Sequence, residues 1–101
     1  MGCAVRLSPA ARRDLEGIVR TIAFDDPRRA TAFGQMLVNR ARALGEFGHL
    51  GRVVPEFASP DIHEIIVRAY RAIYRINAEA ETVEIIRFWH AARGMPRLDL
   101  G

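Results

Sequence analysis

Arg71 and Arg75 stand four residues apart in a segment that alternates in type, Tyr70-Arg71-Ala72-Ile73-Tyr74-Arg75-Ile76, and Arg87 stands in a second β-branched and aromatic segment, Val83 to Trp89. Guanidinium groups do one kind of chemistry well. Their planar fork grips phosphate or carboxylate through two parallel hydrogen bonds, but they stay protonated near neutral pH and are poor acids or bases. Period-two spacing predicts strands. It places Tyr70, Ala72, Tyr74 and Ile76 on one face, and Arg71, Ile73 and Arg75 on the other. With Arg87 one strand away, the expectation is a cationic strip on a rigid sheet.

The elements that position this strip follow from the same patterning. Ile65, Ile66 and Val67 open a three-stranded meander, with a turn at Arg68-Ala69 and a polar loop from Asn77 to Glu81. The short connections predict antiparallel neighbours. Upstream, Cys3 to Leu7 reads as a short strand. Ser8-Pro9 then starts a helix, the serine as cap and the proline at the first helical position. Leu15, Ile18, Val19 and Ile22 form its apolar stripe. Gly17 interrupts that helix at a cost of about 1 kcal/mol relative to alanine, which predicts a close contact with a neighbouring element. Asp26-Pro27 starts a second helix with the stripe Ala30, Phe33, Leu37, Ala41, Leu44 and a stop at Gly45. The tight join makes the two an antiparallel hairpin whose stripes need the sheet to cover them. Glu46 to Asp61 reads as an irregular connection pinned to the core by Phe47, Leu50, Val53, Val54 and Phe57. The order is β-α-α-β-β-β, an α+β fold in one domain, residues 1–101.

Composition narrows the chemistry. All fifteen basic residues are arginine, so no lysine ammonium exists for phosphate contact or proton transfer, and the net charge of +3 is too small to imply nucleic-acid binding. The single Cys3 excludes an intramolecular disulfide. His49, His63 and His90 are scattered without helical spacing and make no metal motif, so no metal and no cofactor is expected. Met-Gly-Cys invites lipidation, but Arg6 stands where the myristoylation pattern wants Ser or Thr. No apolar stretch is long enough for a signal segment or a membrane span, and the expected compartment is the cytoplasm.

Four segments in order resemble the RelE/ParE superfamily of bacterial toxins: Leu7-Ser8-Pro9-Ala10-Ala11 leading to Asp14-Leu15, Leu50-Gly51-Arg52-Val53-Val54-Pro55-Glu56, Tyr70 to Arg75, and Ile86-Arg87-Phe88-Trp89-His90-Ala91-Ala92-Arg93. The resemblance covers Val5 to Arg93 and is closer to the ParE-like, plasmid-stabilisation branch than to the RelE ribonucleases. It implies a small antiparallel sheet with the helical hairpin on one face. It also implies a cognate antitoxin, ParD-like, that wraps the toxin. ParE-like members poison DNA gyrase; RelE-like members cut mRNA on the ribosome, and fold alone cannot choose. Metal-free RNA cleavage needs a base, an acid and a cation for the phosphorane. Arg71 matches the family's phosphate-contacting arginine, and His90 is the candidate acid, with Glu46 or Glu56 as a carboxylate base. The lysines of the RelE branch and its C-terminal tyrosine have no counterpart here. The structural alternatives are a solvated Arg71 paired with Glu64 or Glu84, and a His90 bonded to backbone. The leading expectation is therefore a binding toxin that inhibits gyrase and catalyses nothing. Arg71, Arg75, Arg87 and His90 would contact the target. Arg12, Arg13, Arg20 and Arg40 would meet acidic side chains of the antitoxin. A ribosome-dependent ribonuclease and an inactive relative that binds only its antitoxin stand as alternatives.

Overall fold

The computed structural model describes residues 2–57, 59–94, 96 and 98. Its elements run β1 (Ala4–Leu7), α1 (Pro9–Ala23), α2 (Pro27–Phe47), a 3-10 turn (Gly48–Leu50), β2 (Arg52–Val53), β3 (Ile62–Val67), β4 (Tyr70–Asn77), β5 (Thr82–His90) and a 3-10 turn (Ala91–Arg93). The strands form one sheet in the order β1-β5-β4-β3-β2. The expected α+β order, hairpin and meander are all present, with the turn at Arg68-Ala69. Two features go beyond them. β1 lies parallel to β5, with Leu7 opposite Ile85, so the sheet is mixed. Two residues of the connection, Arg52 and Val53, pair with Glu64 and His63 and add an edge strand.

Both helix starts are built as the residue types dictate. The Ser8 hydroxyl accepts the Ala11 N–H at 3.0 Å and donates to the Ile86 carbonyl at 2.8 Å, so one side chain caps α1 and ties it to β5. Asp26 accepts the Arg29 N–H at 3.1 Å and Pro27 follows at the first helical position. The hairpin covers one face of the sheet, where Ala11, Ile18, Leu37, Ala41 and Leu44 pack on Tyr74, Val83, Ile85 and Phe88. The opposite face carries a smaller cluster of Ile62, Ile73, Ile86 and Trp89, covered by Val54 from the connection.

Three expectations are corrected. The tight helix–helix glycine is Gly34, where an added Cβ would lie 2.9 Å from Val19 Cγ2; at Gly17 it would meet nothing within 4 Å. Gly45 does not end α2, which runs on to Phe47. Its missing side chain instead admits β1, since a Cβ there would lie 2.5 Å from the Cys3 carbonyl oxygen. Of the residues expected to pin the connection, Val54 is buried and Phe57 packs beside it, whereas Phe47, Leu50 and Val53 are exposed. Val53 and Val54 are neighbours at the sheet edge, so their side chains point opposite ways, and Val54 is the one that reaches the far face.

Candidate functional site

Arg71 lies on β4 opposite Ile66 of β3 and Trp89 of β5, on the sheet face away from the helices. Glu64, on β3, is 1% exposed. A carboxylate that deep stays charged only if its oxygens are paired. Arg71 Nε donates to Glu64 Oε1 at 2.5 Å, and Arg52 Nε donates to Oε2 at 2.5 Å. Arg71 Nη2 lies 3.0 Å from Glu56 Oε2 in the connection, an ion pair rather than a well-aligned hydrogen bond. Two arginines and two glutamates thus form a closed, neutral set. Burial pulls the Arg71 pKa down, but its bonds to Glu64 and Glu56 outweigh that and raise it. Burial acts upward on Glu56, and its own backbone N–H with Arg71 and Arg52 brings the carboxyl below the usual range. Of the two partners foreseen for Arg71, Glu64 is the one found. The arginine is buried between its partners, with 8% of its surface exposed, rather than solvated.

The strip expected from alternation is interrupted. Arg75 shares the far face with Arg71 but sits two pleats along, about 13 Å at strand rise, with fully buried Ile73 between them. It lines a shallow groove with Asp61 and Glu79. Arg87 faces a different carboxylate. β1 ends opposite Ile85, and beyond that point Asp14 of α1 takes its place along β5, accepting the Phe88 N–H at 3.1 Å. The same carboxylate receives Arg87 Nε at 2.7 Å and Nη2 at 2.9 Å. The bond to Asp14 raises the Arg87 pKa against the opposing pull of burial. The guanidinium also lies 4.9 Å from the Trp89 ring centre.

His90 ends β5. Its Nδ1 accepts the Ala92 N–H at 3.1 Å. Its ring meets Tyr70 edge-on at 5.0 Å. His63 stacks on Tyr74 at 5.8 Å. No group of residues able to hold a metal occurs among the described residues. Tyr74 is buried under the connection; its hydroxyl donates to the Gly48 carbonyl, and burial raises its pKa. Gly51 makes this contact possible, since a Cβ there would lie 2.0 Å from the Tyr74 oxygen.

The hairpin arginines Arg12, Arg13, Arg20 and Arg40 are exposed, and none forms an ion pair among the described residues. Arg12 borders an open groove of about 570 Å³ between β1 and α2. Arg13 borders another, of about 330 Å³, that reaches His90. The residues that sequence reading undervalued are the carboxylates Glu64 and Asp14. Glu64 carried a signal: a lone acid inside the apolar run from Ile62 to Val67 needs a cation. Asp14 carried none, because its partner lies 73 residues away.

No helix among the described residues is long and apolar enough to cross a membrane. No curated protein matches the sequence significantly. The fold is similar to that in the chromosomal ParDE toxin–antitoxin system from P. aeruginosa, with TM-score 0.72 and 18% identity over 87% of this chain and 95% of that chain. It is also similar to the RelBE2 toxin–antitoxin complex from Mycobacterium tuberculosis, with TM-score 0.65 and 27% identity over 89% and 92%. A mutant of the E. coli toxin RelE in the free state gives TM-score 0.66 and 16% identity over 93% and 88%. The profile described as "ParE toxin of type II toxin-antitoxin system, parDE" matches residues 5–95, all of the hairpin and all of the sheet but Ala4, and the chain therefore belongs to that toxin family.

Proposed function

We propose that the chain stops bacterial growth by binding DNA gyrase and holding it on cleaved DNA, that it catalyses no reaction itself, and that a ParD-like antitoxin neutralises it. One observation carries this reading over RNA cleavage: the cation that would clamp a scissile phosphate is already taken. Arg71 is buried between Glu64 and Glu56. A phosphate would have to displace two carboxylates and leave Glu64 charged in a dry site, at a cost of several kcal/mol. His90 Nδ1 is already engaged by the Ala92 N–H and is not open to a substrate oxygen. Without lysine, no ammonium with a tunable pKa is at hand.

In this reading Arg71 and Arg87 act through their carboxylates and hold the sheet together. Arg75 and His90, both partly exposed, are the proposed target contacts. Arg12, Arg13, Arg20 and Arg40 are the proposed antitoxin contacts, and the cytoplasm is the proposed compartment.

The test is inducible expression in a bacterial host, alone and with the antitoxin. Growth arrest with DNA-damage signalling, relieved by the antitoxin, is expected. Arrest with new mRNA cuts inside ribosomal A-site codons would install the ribonuclease. Normal growth with intact, soluble protein would install the inactive relative.

A further inference from the structure

Three of the five large apolar side chains that stand exposed among the described residues fall between positions 47 and 53. Phe47 is 50% exposed, Leu50 70% and Val53 48%. They mark the end of α2, the 3-10 turn and the edge strand β2. At three residues per turn, the 3-10 segment brings Leu50 back to the side of Phe47. Val53 pairs with His63, whose ring stacks on Tyr74, so it faces the side of the sheet that the helices cover. β2 is also an open edge. The Val54 N–H donates to the Ile62 carbonyl at 3.1 Å. Hydrogen-bonded and non-bonded pairs alternate along an antiparallel ladder, so the Val53 N–H and C=O face away from β3. Neither group has a hydrogen-bond partner among the described residues.

We propose that this edge is a self-association surface, on which a second copy of the chain pairs its β2 antiparallel to β2 about a two-fold axis at Val53. Each Val53 gives its N–H to the C=O of the other, so the residue is its own complement. Phe47, Leu50 and Val53 of both copies supply the apolar contact. Charge selects this occupant. Arg52 is the one arginine between positions 46 and 57, and its guanidinium is held by Glu64 at 2.5 Å. An acidic segment or a nucleic-acid phosphate finds no unpaired arginine there, and Arg52 brings no uncompensated charge to its counterpart in the second copy. The opposite edge of the sheet differs. β1 presents Arg6 beside Arg12 and Arg42, which repel the same groups of a second copy. Pro55 has no N–H, and the chain turns after Val54, whose carbonyl accepts the Phe57 N–H at 3.2 Å. The ladder therefore stops beside the Val53 pair, and the contact closes on two copies. The proposal depends on neither the target nor the antitoxin reading.

The test reads the mass of the purified full chain by sedimentation across concentration, together with site-specific cross-linking. The parent passes from monomer to dimer as concentration rises. Val53→Lys weakens that step by about tenfold or more and melts like the dilute parent. In a Cys3→Ser background, Val53→Cys oxidises to a covalent dimer under oxidised glutathione, because directly opposed hydrogen-bonded residues stand about 5.5 Å apart at Cα, within disulfide reach. Arg20→Cys, on the exposed hairpin, is the control for random collision. A parent that stays monomeric, with Val53→Cys cross-linking no faster than Arg20→Cys, overturns the proposal. So does a dimer that persists unweakened in Val53→Lys, which places the contact elsewhere. A monomeric parent whose folded Val53→Lys variant loses antitoxin affinity or toxicity also overturns it, and assigns the edge to that partner.

Discussion

Arg71 lies between two carboxylates, one of them in the driest part of the sheet. Its removal would therefore strike stability first. Arg71→Ala leaves Glu64 with only the exposed Arg52, and the account predicts a loss of about 3 kcal/mol in urea unfolding. The double variant Arg71→Met with Glu64→Leu removes the uncompensated charge and should recover most of that loss. If the single variant unfolds like the parent, the buried pair does not hold the sheet. Residue identity alone made the arginines visible as anion grips, and alternation assigned Arg71 its face correctly. The anion they grip was harder to read, because a strand pattern says which side a residue faces and nothing of which distant carboxylate arrives there. Asp14 reaches Arg87 only because β1 is short and α1 turns back over the sheet.

At the scale of elements, the caps at Ser8 and Asp26 and the turn at Arg68-Ala69 were legible, since each rests on local chemistry. The glycines were not, since their reason lies in tertiary approach. Gly17 and Gly34 should answer alanine with opposite signs. Gly17→Ala gains up to about 1 kcal/mol of helix propensity. Gly34→Ala gains the same propensity but drives a methyl against the stiff Val19 side chain, at an overpacking cost of about 1–3 kcal/mol. Thermal melts of the two variants check this, and a stabilised Gly34→Ala would refute the close hairpin contact. The connection over the far face gives a pH signature. Glu56 titrates in the folded chain below its ordinary value of 4.5. Its contribution is therefore present above that value and lost as pH falls through the folded value. Acid unfolding followed below about pH 4.5 should be less steep in Glu56→Gln; an identical acid profile would show that the contact with Arg71 adds no pH-dependent stability.

The whole molecule is a closed sheet face, a helical hairpin and a surface on which Arg12, Arg13, Arg20 and Arg40 form no ion pair among the described residues, and it is the surface that bears on partners. A net charge of +3 carried on arginine should make association with an acidic antitoxin segment fast at low salt and slower as salt screens it. Stopped-flow association rates over a wide salt range check this, and a flat profile would remove the hairpin arginines from the interface. The family was legible in four short segments, but the choice of target was not, because it depends on which cations remain free after folding. The central claim is that this toxin binds and does not cleave. The most direct measurement incubates the purified chain, and its His90→Ala variant, with gyrase and supercoiled DNA, and in parallel with translating ribosomes. The account predicts stabilised gyrase–DNA cleavage complexes with both proteins and intact mRNA with both. Codon-specific mRNA cleavage by the parent chain, abolished in a folded His90→Ala variant, with no effect on gyrase, would contradict it.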